Sequence, residues 1–189
     1  MKRFLIALAA VAVAAPVFAE TVEDYSETIN KFQNNPTVAP YFSSAYGYAV
    51  LPTIGKGGVG IGGARGKGQV YAGGAVTGFV TMTQLSIGLQ LGGQSYSQVI
   101  FFEDQRAYDD FTSGNFEFSA DASAVAITAS AQASTGTTGT GASAGAGGTA
   151  GTQAVTDYRK GMKIFTIAKG GLMYEAAVAG QKYKFTPVE

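Results

Sequence analysis

The chain contains no histidine, no cysteine and no tryptophan. Without imidazole or thiol it cannot build a Ser-His-Asp triad, a cysteine nucleophile or a zinc site of the usual kind. Disulfides are excluded as well. Charge is scarce, at 14% of residues, and balanced, with 13 Lys+Arg against 13 Asp+Glu. At a pI near 6.3 no overall positive field gathers nucleic acid, and no nucleic-acid partner is expected. Glycine, in contrast, is plentiful at 27 of 189 residues. Apolar residues make up 46%, enough buried surface to offset chain entropy, so the composition is not that of a disordered chain.

The first residues read as an address. Lys2 and Arg3 precede an apolar run from Phe4 to Ala15, Pro16 breaks it, and Val17-Phe18-Ala19 fits a signal-peptidase site. Cleavage is expected after Ala19, leaving residues 20–189 as a single domain. No cysteine follows the run, so no lipoprotein anchor is expected there. The expected location is periplasmic or secreted, peripheral to the membrane. No later apolar run reaches the length of a helical membrane span.

Thr21 to Phe32 has helical spacing, with Val22, Tyr25, Ile29 and Phe32 on one face and Thr21 as the expected N-cap. Asn34-Asn35-Pro36 ends it, and a short helical or irregular piece follows at Val38 to Ser44. From Tyr46 the period becomes two. Strands are expected at Tyr46–Leu51, closed by Pro52, around Val59–Ile61, and over Val70–Thr83 with Gly73-Gly74 as a turn or bulge. Leu85, Ile87, Leu89 and Leu91 alternate with polar residues and glycine, which predicts a half-buried strand with one apolar face. Val99–Phe102 reads as a buried strand. Asp104 reads as the N-cap of a helix through Ala107, Tyr108 and Phe111, stopped by Gly114. Residues 115–131 alternate weakly. Residues 134–151, all small or polar, read as a flexible loop inside the domain. Strands at Lys163–Ala168, Leu172–Val178 and Lys182–Phe185 complete the chain. The expected class is α+β, mostly antiparallel. Glycines within strands point to a strongly curved or barrel-like β core, with an N-terminal helix and a second short helix.

Gly55-Lys56-Gly57-Gly58-Val59-Gly60 matches G-x-G-x-x-G, but more glycine-rich strand follows where a dinucleotide site needs a helix. Glu103, Asp104, Asp109, Asp110, Glu117 and Asp121 crowd together without metal-loop spacing, so no metal and no catalytic pair is assigned. No cofactor is expected. Charge placement says more. Lys56, Arg65 and Lys67 fall between Leu51 and Gln69 with no acid among them, and six cations against one acid lie between Tyr158 and Val188. Lysine and arginine beside accessible glycine backbone suit phosphate oxygens.

Gly47-Tyr48-Ala49-Val50-Leu51-Pro52, Gly55-Lys56-Gly57-Gly58 and Gly62-Gly63-Ala64-Arg65-Gly66-Lys67-Gly68 together resemble the core of the SYLF lipid-binding domain. Ser86 to Gln94 is similar to its second signature, Phe111 with Gly114 to the helix after it, and Lys169-Gly170-Gly171-Leu172 to its closing strands. The resemblance covers roughly residues 25–186. It implies phospholipid binding, with phosphoinositides and in some cases actin as partners of eukaryotic members; actin is not expected in a periplasm. Carried onto this chain, the resemblance implies a non-enzymatic protein that recognises anionic lipid head groups at a membrane surface. Lys56, Arg65 and Lys67 would contact phosphate, supported by Gly55, Gly57, Gly58, Gly62, Gly63, Gly66 and Gly68. A small outer-membrane β-barrel and an envelope scaffold are the alternatives.

Overall fold

The structure, a computed structural model, describes residues 21–88, 94–119, 122, 124–127, 158–169 and 178–188. The leader read over 1–19, the loop read over 134–151 and the strand expected at Leu172–Val178, apart from Val178 itself, lie outside the described residues.

The N-terminal helix, α1 (Ser26–Gln33), begins later than its spacing predicts. Thr21 does not cap it; Asp24 Oδ1 instead accepts from the Ser26 amide at 2.9 Å, just ahead of the first turn. Thr28 and Phe32, one turn apart, are its buried residues, and the Glu27–Lys31 pair at 2.6 Å lies on its exposed side. α2 (Ala39–Ser44) follows at once, with Pro40 in its first turn, where the missing amide is no loss.

β1 (Gly47–Ala72) is one strand of 26 residues. Pro52 does not end it; a shift in register between Leu51 and Ile54 absorbs the proline as a bulge. Residues Gly47 to Lys56 pair with β3 (Gln94–Phe102), and Gly60 to Ala72 pair with β2 (Ala75–Gly88). Gly73 and Gly74, with φ of 60° and 81°, make the two-residue turn between β1 and β2, a geometry only glycine enters without strain. α3 (Gln105–Thr112) is capped as expected: Asp104 Oδ1 accepts from the Ala107 amide at 2.8 Å. Short β4 (Asn115–Glu117) and β5 (Val125–Ile127) lie at the two edges, with β6 (Met162–Lys169) and β7 (Lys182–Pro187) inside them.

The sheet order is β4-β7-β2-β1-β3-β6-β5, antiparallel except for the β5–β6 pair. It is an open sheet with β4 and β5 as its ends. The curved, mostly antiparallel core is therefore present but is not closed, and the barrel alternative does not form among the described residues. Curvature comes instead from β1 folding back on itself. Its first half lies face to face with its second, so that a Cβ on Gly66 would stand 2.6 Å from Ile54 Cγ1 and one on Gly47 2.5 Å from the Tyr71 carbonyl oxygen. Glycine there is a condition of the fold.

This coil gives the sheet two environments. The concave side is filled by Leu51, Ile54, Val80, Met82, Ile100, Phe102 and Ile164, with Ala107 and Phe111 of α3 packed against them. The convex side is divided. Over β1's first half, β3 and β6, Val50, Val99, Phe101 and Phe165 are covered by α1 and α2 through Phe32 and Val38. Each such phenylalanine contributes about 1.5–3 kcal/mol of burial. Over β1's second half, β2, β7 and β4, no helix lies across the sheet among the described residues.

Inside the concave core, Gln98 Nε2 donates to Gln181 Oε1 at 3.1 Å and to the Tyr183 hydroxyl at 3.0 Å, while Gln181 Nε2 donates to the Tyr96 hydroxyl at 3.0 Å. Burial pushes both phenols well above the ordinary tyrosine range.

A candidate cationic face

The uncovered part of the convex side is built by strand register. Glu117, Lys182, Thr83 and Arg65 stand in one row across β4, β7, β2 and β1. Asn115, Lys184, Thr81 and Lys67 stand in the next row, two residues along each strand. The period of two sends these side chains outward and their neighbours Ala64, Gly66, Tyr183 and Met82 into the core. Arg65, Lys67, Lys182 and Lys184 are all exposed. A shallow groove of about 590 Å³ crosses the face, lined by Arg65, Thr81, Thr83, Asn115, Lys182 and Lys184 among others.

Among the described residues the four cations share the face with Glu117, which stands 3.4 Å from Lys182. Among the described residues no carboxylate lies within ion-pair distance of Arg65 or Lys184. One end of the face is closed. There Gln69, fully buried, donates to the Glu23 carbonyl at 3.0 Å and accepts from the Tyr71 hydroxyl at 3.0 Å. Burial raises the Tyr71 phenol to about 12. At the other end the face runs out along the β1–β2 ribbon.

Of the residues singled out in the sequence, Arg65 and Lys67 are brought together on this face. Lys56 is on the first half of β1, half-buried and opposite Gln94 of β3, and it does not line the groove. The glycines divide in the same way. No heavy atom stands within 4 Å of where Gly55 and Gly57 would carry a Cβ, whereas Gly66 and Gly68 press against the opposing half of β1. Gly58, with φ of 149°, sits where β1 passes from one partner to the other. Gly62 is buried, and a Cβ on Gly63 would stand 3.2 Å from the Gln84 carbonyl oxygen. Lys182 and Lys184 are residues of this face that the sequence does not single out as a site. Their signal in the sequence is the alternation Lys-Tyr-Lys-Phe, which marks one side of a strand as cationic but not which other strand shares that side.

Three acids of the middle chain's crowd are engaged locally, while Asp121 lies outside the described residues. Asp104 caps α3, Arg106 stands 3.6 Å from Asp104 and 3.5 Å from Asp110, and Glu117 meets Lys182. No group of three or more acids able to hold a metal ion occurs among the described residues. Residues 55–60 are strand, with no helix opening after them. Among the described residues no helix is long and apolar enough to cross a membrane.

Beta cell expansion factor A of Aeromonas veronii is 26% identical over 164 residues, which are 82% of this chain and 51% of that protein. The chain thus spans about half the length of this curated relative. A family model, Ysc84, described as "Las17-binding protein actin regulator", matches residues 83–185. That span takes in Thr83, Lys182 and Lys184 of the cationic face, while Arg65 and Lys67 precede it. Matched over more than half of its length, and carrying the motifs set out above, the chain belongs to the Ysc84 family, the family of the SYLF domain.

Proposed function

We propose that this protein binds phospholipid membrane surfaces and performs no reaction, docking anionic head groups on the uncovered face of its sheet. The SYLF family is lipid-binding, and the observation that carries the reading for this chain is the pair of cationic rows. Arg65, Lys67, Lys182 and Lys184 face one direction, with Glu117 beside Lys182 in the same rows. Thr81, Thr83 and Asn115 add hydroxyl and amide groups that hydrogen-bond phosphate oxygens. Near an anionic surface each cation contributes about 1 kcal/mol, so four acting together give adsorption that weakens as salt screens them.

Arg65 and Lys67 keep the role that the family resemblance implies for them, and Lys182 and Lys184 join them. The exporting leader read over residues 1–19 supports a periplasmic or secreted setting. The family is described by actin regulation; with such a leader, an actin partner is not part of this proposal.

The test is co-sedimentation of the chain lacking residues 1–19 with vesicles of neutral phosphatidylcholine, alone or mixed with phosphatidylglycerol, at low and high salt. Binding is expected only with the anionic lipid and is expected to fall with salt. Equal binding to both vesicle types, or to neither, would overturn the reading.

A further inference from the structure

Leu85 is 86% exposed, the most exposed of the large apolar side chains among the described residues. A single exposed leucine is ordinary; its placement is not. In register it stands opposite Gly63, one outward position beyond the Arg65–Thr83 pair. β7 stops pairing with β2 at Thr83, and β3 stops pairing with β1 at Lys56. From Gly60 to Ala64 and from Gln84 to Gly88 the two strands therefore pair only with each other among the described residues. They form a two-stranded ribbon that runs past the cationic rows, with Leu85 on the same face. Gly63 offers no side chain to cover it. Ile61 and Ile87 are paired in register two residues further along the two strands.

The cationic rows decide between occupants. A second copy laid on this face would bring like charges together. An anionic bilayer supplies the opposite charge and, beneath it, an apolar layer. Its polar zone is about 5–7 Å deep on each side, the difference between the full and the hydrocarbon thickness. Two residues of antiparallel strand advance about 7 Å. With the outward face of the ribbon laid obliquely on the membrane and Arg65 at the phosphates, Leu85 reaches the boundary of the acyl chains.

We propose that the β1–β2 ribbon is a shallow membrane wedge, in which Leu85 enters the acyl boundary of an anionic bilayer while Arg65 stays with the phosphates. The proposal rests on the membrane-surface reading above and adds to it an orientation and an anchor. Depth is limited by the backbone, because the unpaired edges of a two-stranded ribbon are costly to place in hydrocarbon.

The absence of cysteine makes the test direct. A Leu85→Cys chain carries an environment-sensitive fluorophore, and an Asp109→Cys chain, labelled on the exposed side of α3, is the control. With phosphatidylcholine–phosphatidylglycerol vesicles the label at 85 is expected to shift to the blue. Lipids bearing a quencher near the head group should quench it more than lipids quenching at the chain ends, and the label at 109 should stay as in water. In the unlabelled chain, Leu85→Ser is expected to weaken vesicle partition about tenfold or more while leaving its dependence on salt unchanged. Vesicle binding with a label at 85 that stays water-like overturns the wedge and leaves the surface reading standing. No binding to any vesicle overturns both. If Leu85→Ser instead dissociates a dimer in sedimentation velocity and leaves vesicle partition intact, the leucine belongs to a self-association face and the wedge is wrong.

Discussion

Gly68 lies against Val50 across the folded-back halves of β1, so near that a Cβ on Gly68 would collide with the Val50 carbonyl oxygen and press on the Leu51 side chain. The atoms in the way are mostly backbone of a buried strand, which cannot swing aside as a flexible side chain would. Gly68→Ala is expected to cost about 1–3 kcal/mol in urea unfolding, the range for overpacking a core. Gly57, with no heavy atom within 4 Å of its missing Cβ, is the matched control. Gly57→Ala should leave stability unchanged or raise it by up to about 1 kcal/mol through the unfolded chain. Equal losses at the two positions would show that close approach is not what requires glycine at 68.

Tyr96 and Tyr183 link the core to alkaline pH. Burial raises both phenols, Tyr183 also feeling Tyr96 beside it. Between the unfolded tyrosine value near 10 and the higher folded value, the folded state holds a proton that the unfolded state has lost. Stability is therefore complete below about pH 10 and falls as pH rises, by up to about 1.4 kcal/mol per pH unit for each tyrosine. Urea midpoints at pH 8, 10 and 11 check this, and Tyr183→Phe should flatten the decline. A stability that stays level to pH 11 would contradict the burial of these phenols.

The same cluster predicts an order of mutational cost. Gln181 connects three partners, accepting from Gln98 and the Tyr183 hydroxyl and donating to the Tyr96 hydroxyl. Gln181→Leu removes all three bonds at once, leaving the Tyr96 hydroxyl stranded and the Gln98 amide and Tyr183 hydroxyl with only each other, and the Gln98 Oε1 atom already has no partner. Each stranded polar group costs about 1–3 kcal/mol, whereas Tyr183→Phe removes one hydroxyl and leaves the Gln98–Gln181 bond in place. Gln181→Leu is thus expected to destabilise the chain more than Tyr183→Phe, as read from thermal or urea unfolding; the reverse order would show that the network is not organised around Gln181.

Where one residue's chemistry decides the local structure, the sequence was legible. Asp104 caps α3 and Gly73-Gly74 turns the β1–β2 hairpin, as each residue type predicts. Legibility ended where tertiary packing decides. Pro52 reads as a strand end but is carried by a bulge, since β3 continues alongside. The alternation at Leu85 separates two faces of a strand without saying which is inside. The inward positions of β2 are Val80, Met82 and Gln84, and Gln84, which donates to the Ala179 carbonyl at 2.9 Å, takes the buried place that apolar character alone would give to Leu85. Clustering of Lys56, Arg65 and Lys67 along the chain likewise says nothing of the fold-back at Gly58. That bend parts Lys56 from the other two and leaves room beside them for lysines more than a hundred residues away.

Lys56 is accordingly the variant that separates proximity in sequence from position on the sheet. If the cationic rows meet the membrane, Arg65→Ala and Lys184→Ala should each lower partition onto phosphatidylglycerol-containing vesicles about fivefold, the equivalent of roughly 1 kcal/mol per cation. Each should also make binding less sensitive to salt. Glu117→Gln, which removes the carboxylate beside Lys182, should act in the opposite direction and strengthen binding. Arg106→Ala should change nothing, because Arg106 lies on α3 between Asp104 and Asp110 and outside the groove. Lys56→Ala is expected to matter less than Lys184→Ala. Were Lys56→Ala the more damaging of the two in the same vesicle assay, the docking surface would have to be moved from the β4-β7-β2-β1 face to the end of β1's first half, where Lys56 pairs with Gln94 of β3.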